Sequence, residues 1–88
     1  MQFGDGQNIQ LEAKISKGLA HVLTETPLTK SQQLTPTDEG ALLQVSIHDS
    51  WQLRWWLLSQ GEQIEVIQPE SLRQHMIDSL KNALSNYR

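Results

Sequence analysis

The sequence predicts a small α+β domain, and three stretches carry that prediction. Residues 9–15, IQLEAKI, alternate apolar Ile9, Leu11, Ala13 and Ile15 with polar Gln10, Glu12 and Lys14, the period of a strand with one buried face. Residues 41–47, ALLQVSI, put Leu43, Val45 and Ile47 on one face in the same way. Near the C-terminus Leu72, Met76, Leu80, Ala83, Leu84 and Tyr87 recur at helical spacing and form one stripe.

The remaining elements fall between these. SKGLAHVLTE, residues 16–25, spaces Leu19, Val22 and Leu23 as a short helix does, and Pro27 stops it. LTKSQQLTPTDEG is rich in turn formers and reads as an edge strand interrupted at Pro36, with Asp38 to Gly40 turning into the next strand. His48, Asp49 and Ser50 offer an N-cap for a tryptophan-bearing helix that ends with Gly61 at C′. QIEVI, residues 63–67, is the fourth strand, and Pro69 in a first helical turn opens the last helix. The order is β-α-β-β-α-β-α. Two split β-α-β units of this length predict a ferredoxin-like sheet with helices on one face, plus a C-terminal helix.

A chain of 88 residues allows one domain. At that size only about 60 to 65% of the unfolded chain's surface is buried, so the core is thin. The absence of cysteine removes disulfides, thiolate metal sites and a cysteine nucleophile, and suits a reducing cytosol. MQFGDGQNIQ has neither the basic nor the apolar part of a signal peptide, and the longest apolar run is Trp55 to Leu58, so a cytoplasmic protein without membrane attachment is expected. Seven basic residues against ten acidic ones give a net charge of −3, the wrong sign for a surface that gains affinity by neutralising phosphates. Between Asp38 and Glu65 five acids face the single base Arg54, so direct binding to DNA is not expected.

Catalytic constellations are missing too. His21 with Glu25 and His75 with Asp78 have the spacing of neighbours on a helix, yet each supplies only two metal ligands and reads as a solvated pair. His48 ahead of a helix start reads as a turn or capping residue. No Ser-His-Asp order, glycine-rich phosphate loop or Walker-type lysine occurs, and the GDG of residues 4–6 is an ordinary turn. Asp38 and Glu39 are adjacent in a turn and cannot flank a substrate as an acid/base pair. No catalytic residue, metal site or cofactor is expected.

The segment LRWWLLSQGEQIEVIQP, residues 53–69, stands apart. At 100° per residue Leu53, Trp56 and Leu57 lie on one side of the helix, and Trp51, Trp55 and Leu58 lie nearly opposite. A sheet can cover one of those faces. The other needs a further element, another domain or another subunit, and the C-terminal helix is the candidate within the chain.

Here the sequence resembles the C-terminal WCX domain of bacterial helix-turn-helix transcriptional regulators that contain a WYL domain. Asp49, Gln52, Leu53, Arg54, Trp55, Trp56, Leu57, Leu58, Gly61, Glu65, Val66, Pro69, Leu72 and Arg73 fall on that family's pattern at its spacing. Upstream, Leu23, Glu25, Pro27, Leu28, Thr29 and Gln32 or Gln33 match its Leu-x-Glu-x-Pro-Leu-Ser followed closely by Gln. Gln60 replaces a usual aromatic and Thr29 a usual serine.

The resemblance implies a protein in which a winged helix-turn-helix binds an operator, a WYL domain senses a ligand, often thought to be nucleic acid or a nucleotide, and the WCX domain mediates dimerisation and coupling. Residues 1–8 then read as interdomain linker or an artificial start, and residues 9–88 as a single WCX-like domain. The expected partners are a second copy, as a homodimer, and the WYL domain of the same or partner subunit, with DNA reached only through the missing helix-turn-helix. Trp51, Trp55 and Leu58 are the expected partner surface. Arg54 and Arg73 are possible ligand or phosphate contacts, because guanidinium pairs bidentately with such groups, and each has as its alternative an ion pair with Glu62, Glu65 or Glu70. A free-standing ferredoxin-like module that binds a small molecule is the competing function, by fold analogy.

Overall fold

The computed structural model describes residues 8–87. In chain order these form β1 (Asn8–Ser16), α1 (Lys17–Glu25), β2 (Gln33–Pro36), β3 (Gly40–His48), α2 (Trp51–Ser59), a 3₁₀ turn (Gly61–Gln63), β4 (Ile64–Gln68) and α3 (Glu70–Ser85). The strands build one antiparallel sheet in the order β2-β3-β1-β4. Each strand-helix-strand unit therefore skips a strand: β3 lies between β1 and β2, and β1 lies between β3 and β4.

Alternation in β1 and β3 becomes a one-sided core through their register. Leu11 opposes Val45, Ala13 opposes Leu43 and Ile15 opposes Ala41, and all six are buried. On the other face Gln10, Lys14 and Gln44 are exposed, and the Gln44 amide donates to Glu12 across the strands at 2.9 Å. Leu19 and Leu23 from α1, Leu53 and Leu57 from α2, Val66 from β4, and Leu72 and Met76 from α3 close over the apolar face in one cluster. All three helices thus cover the same side of the sheet.

Local chemistry sets the element ends. The Ser16 hydroxyl accepts from the Leu19 N–H at 3.1 Å, so Ser16 caps α1 and the helix starts one residue later than the sequence alone places it. Gly61, with φ of +58°, sits just past the α2 cap in the left-handed conformation expected of a C′ residue. The 3₁₀ turn that follows takes up Gln63, which moves β4 to Ile64–Gln68. Pro69 is extended, at φ −76° and ψ 160°, and its carbonyl accepts from the Arg73 N–H at 3.0 Å, so it caps α3 instead of entering its first turn. β4 also carries a bulge: Ala13 opposes Val66 and Glu12 opposes Gln68, which leaves Ile67 as the extra residue.

Two side chains order the connection from α1 to β2. The Gln32 amide donates to the Leu23 carbonyl at 2.9 Å and accepts from the Leu28 N–H at 2.9 Å, bracing the loop around Pro27 against the end of α1. Gln32, and not the exposed Gln33, therefore performs the bracing role. Ser31 extends the edge of the sheet, its hydroxyl accepting from Ser46 N–H at 3.1 Å and donating to Ser46 C=O at 3.0 Å.

Gly40 is where β3 meets the end of β1, and the backbones approach so closely that a Cβ there would lie 1.9 Å from the Ile15 carbonyl oxygen. Since the obstructing atom is backbone within a ladder, no rotamer relieves the clash. Gly40→Ala is expected to cost about 3 kcal/mol, read as a lower urea midpoint at unchanged m-value.

Candidate functional site

The apolar helix α2 is pinned at its start. The Ser50 hydroxyl accepts from the Leu53 N–H at 3.2 Å. Asp49 grips the Arg54 guanidinium with both oxygens, Oδ1 from Nε at 3.1 Å and Oδ2 from NH2 at 3.0 Å. That fork geometry is the strong form of the arginine–carboxylate pair, and both side chains are partly shielded from water. The hydrogen bond to Asp49 raises the Arg54 pKa above its ordinary value against the opposing effect of burial, so Arg54 stays charged.

With its start fixed, α2 turns Leu53 and Leu57 into the core and packs Trp56 against it half-buried. Trp51 and Trp55 point away, 51% and 68% exposed. They meet edge to face, centroids 5.0 Å apart at 83°, a favoured aromatic arrangement that gives the pair a defined shape. Leu58 is placed differently from its two expected companions. It is half-buried against the core cluster and forms one wall of a pocket of about 180 Å³ between α2, β4 and α3. Leu57, Ile64, Met76, Ile77 and Leu80 line the same pocket, and Glu65 and Arg73 are its charged lining residues.

The C-terminal helix does not cover the tryptophans. Its stripe divides: Leu72 and Met76 are buried, whereas Leu80, Leu84 and Tyr87 are 48%, 57% and 88% exposed. Every described residue from Leu80 onward is exposed, so the last turns of α3 bury little against the rest of the domain. Two apolar surfaces are left, the Trp51–Trp55 pair on α2 and the end of α3, with the pocket between the two helices.

Both arginines are engaged within the domain. Arg54 pairs with Asp49, an acid outside the three that sequence spacing offers it, because Asp49 lies on the same side of the helix start and carries its carboxylate back over the first turn. Arg73 donates from NH1 to the Val66 carbonyl at 2.9 Å and lies 3.6 Å from Glu65, one of its three expected partners. His21 and Glu25 are 3.7 Å apart and solvent-exposed, and Asp78 accepts from the Gln74 amide at 3.0 Å. Among the described residues no three of His, Cys, Asp or Glu are grouped so that they could hold a metal ion, and no helix is long and apolar enough to cross a membrane. Sequence reasoning missed the Asp49–Arg54 fork and the pocket. The first was signalled by an acid directly before a Ser N-cap with arginine in the first turn; the second depends on tertiary packing and has no local signal.

A family model described as the WCX domain matches residues 7–84. No curated protein matches the chain. The matched span takes in the sheet, α1, α2 and α3 as far as Leu84.

If the fork holds α2 in place, its partners act as a unit. In a double-mutant cycle of Asp49→Ala and Arg54→Ala, followed by urea unfolding, a coupling of about 1 kcal/mol is expected; independent effects would show that the pair contributes only geometry.

Proposed function

The chain belongs to the WCX domain family, with residues 7–84 matched, and on that premise we propose that it is the C-terminal regulatory and oligomerisation domain of a bacterial WYL-type DNA-binding transcriptional regulator. In this reading a helix-turn-helix outside the chain binds the operator in the cytoplasm, and this domain performs no catalysis. The net charge of −3 favours that division, because it opposes approach to a polyanion. The sheet order, in which each β-α-β unit skips one strand, supports assigning the fold to the ferredoxin-like pattern.

The observation that carries the reading is the exposed Trp51–Trp55 pair on a helix whose other face is fully used by the core. Tryptophans concentrate at the centres of interfaces, where their area is buried without much loss of side-chain freedom. We assign the surface of Trp51 and Trp55 to contact with the WYL domain of the same or partner subunit, Leu58 being turned into the pocket instead. Ligand bound at that contact shifts the dimer between two arrangements to the extent that it binds one more tightly than the other. Arg54 is held by Asp49 and Arg73 by the Val66 carbonyl and Glu65, which favours a first role in holding the domain together. The alternative of a small-molecule module has less behind it: the pocket between the helices, about 180 Å³, falls below the roughly 300 Å³ at which ligand pockets usually begin, and the larger depression of about 650 Å³ beside the Asp38–Gly40 turn is lined mostly by polar and charged side chains, unlike the apolar lining such sites favour.

Tryptophan emission tests the assignment. The 88-residue chain is expected to emit like partly solvated indole and to shift blue when the WYL domain of its regulator is added. Trp55→Glu is expected to weaken that association about thirtyfold, some 2 kcal/mol. A WYL domain that binds Trp55→Glu equally well, or leaves the emission unmoved, overturns it.

A further inference from the structure

The apolar end of α3 has a symmetry of its own. Counted from Leu80, the stripe continues three, four and seven residues back, to Ile77, Met76 and Arg73, and four and seven residues forward, to Leu84 and Tyr87. The backward half lines the pocket of about 180 Å³; the forward half is exposed and covers nothing. One helix thus carries a hole and, at matching distance on the other side of Leu80, the knobs to fill it.

We infer that the end of α3 pairs antiparallel with α3 of a second copy, crossing at Leu80, so that Leu84 of each copy seats in the other's pocket. This rests on reading the domain as an oligomerisation element and says which surface performs that part. Antiparallel pairing about a two-fold axis at Leu80 brings position 84 opposite 76 and 77, and position 87 opposite 73, at a rise of about 1.5 Å per residue on each helix. Leu84 of the second copy then lies on Met76 and Ile77. The ring of its Tyr87 lies on the Arg73 guanidinium, one nitrogen of which the Val66 carbonyl and Glu65 already hold, a favourable cation–π partner.

Size agrees with this occupant. The pocket admits one or two side chains and is too small for most ligands. With tyrosine at about 200 Å² and leucine somewhat less, the exposed parts of Leu80, Leu84 and Tyr87 come to roughly 400 Å² per copy and roughly 800 Å² for the pair. The half-buried walls Leu58 and Ile77 bring the total to about 1,000 Å², where specific but weak interfaces begin. The dimer formed by this chain alone should therefore dissociate on the order of tens of micromolar.

Light scattering on the chain across a hundredfold dilution around that concentration tests the inference, with circular dichroism to confirm folding. The expected result is a mass that falls from dimer to monomer on dilution. Leu84→Glu, at a position that leaves the core untouched, is expected to weaken the dimer at least tenfold, and Trp55→Glu to leave it unchanged. Register is tested by mixing Leu84→Glu with Ile77→Lys: each alone is expected to be monomeric, and the mixture to recover a heterodimer in which the two substitutions meet once. A chain monomeric at all concentrations, a dimer indifferent to Leu84→Glu, or a mixture without recovery overturns the pairing. A dimer dissolved by Trp55→Glu instead overturns it in favour of self-association through α2. Binding of the WYL domain is read separately, by the emission measurement, so loss of the α3 pairing with the emission shift intact overturns this inference alone.

Discussion

The antiparallel pairing of β1 with β3 is the contact on which the rest of the domain depends. It joins nine residues to nine, from Asn8 opposite His48 to Ser16 opposite Gly40, and places the buried side chains of both strands on one face. Both remaining strands attach to this pair, β2 along β3 and β4 along β1. A slip of one residue would turn Leu11, Ala13 and Ile15 outward and remove the floor on which all three helices rest. Gly40 closes the register at one end, since no other residue allows that approach to the Ile15 carbonyl. At the opposite end Ser31 extends the ladder beyond β2 with its side chain.

A sheet of four strands has room for a limited apolar load on one face, and α2 carries more than that. Leu53 and Leu57 fill the available space, so the Asp49–Arg54 fork and the Ser50 cap, by fixing the rotation of the helix, also determine that Trp51 and Trp55 face outward. Solvent exposure of two tryptophans opposes solubility, and folding of the domain does not require it. It makes sense as a surface that another domain covers. The same holds for α3, whose last apolar residues contribute nothing to the core.

Much of this was legible in the sequence because it follows from period and punctuation. Alternation gave β1 and β3 with their inner faces, and capping chemistry gave the start of α2 and its end at Gly61. The two faces of α2 also followed from helical spacing, except that spacing could not show Leu58 half-covered by neighbours from β4 and α3. What escaped depends on contacts between elements. The bulge at Ile67 arises from pairing with β1, the capping position of Pro69 from the path out of β4, and the exposure of Leu80, Leu84 and Tyr87 from the lack of a neighbouring element over that part of α3 among the described residues. A helical stripe states that one face is apolar and does not state which neighbour reaches it. The two arginines illustrate the same limit: spacing supplied their charge and several acids, and only the fold selected Asp49 for one and Glu65 for the other.

Coupling between two partners requires that their surfaces share a structural element with little freedom to deform. Under the proposed function α2 would be that element. Trp51 and Trp55 lie on its outer face, Leu57 and Leu58 two and three residues beyond Trp55 form a wall of the pocket that α3 completes, and Leu57 is also fully buried in the core. Because the interior is close-packed, a displacement of α2 against the sheet cannot be absorbed locally and must alter the pocket wall. A domain docked on the tryptophans and a subunit docked on α3 would thus compete or cooperate through the position of one nine-residue helix. The sign depends on which placement of α2 each partner binds more tightly, and the effect is reciprocal, since a subunit that favours one placement must by the same amount favour or oppose docking at Trp51 and Trp55.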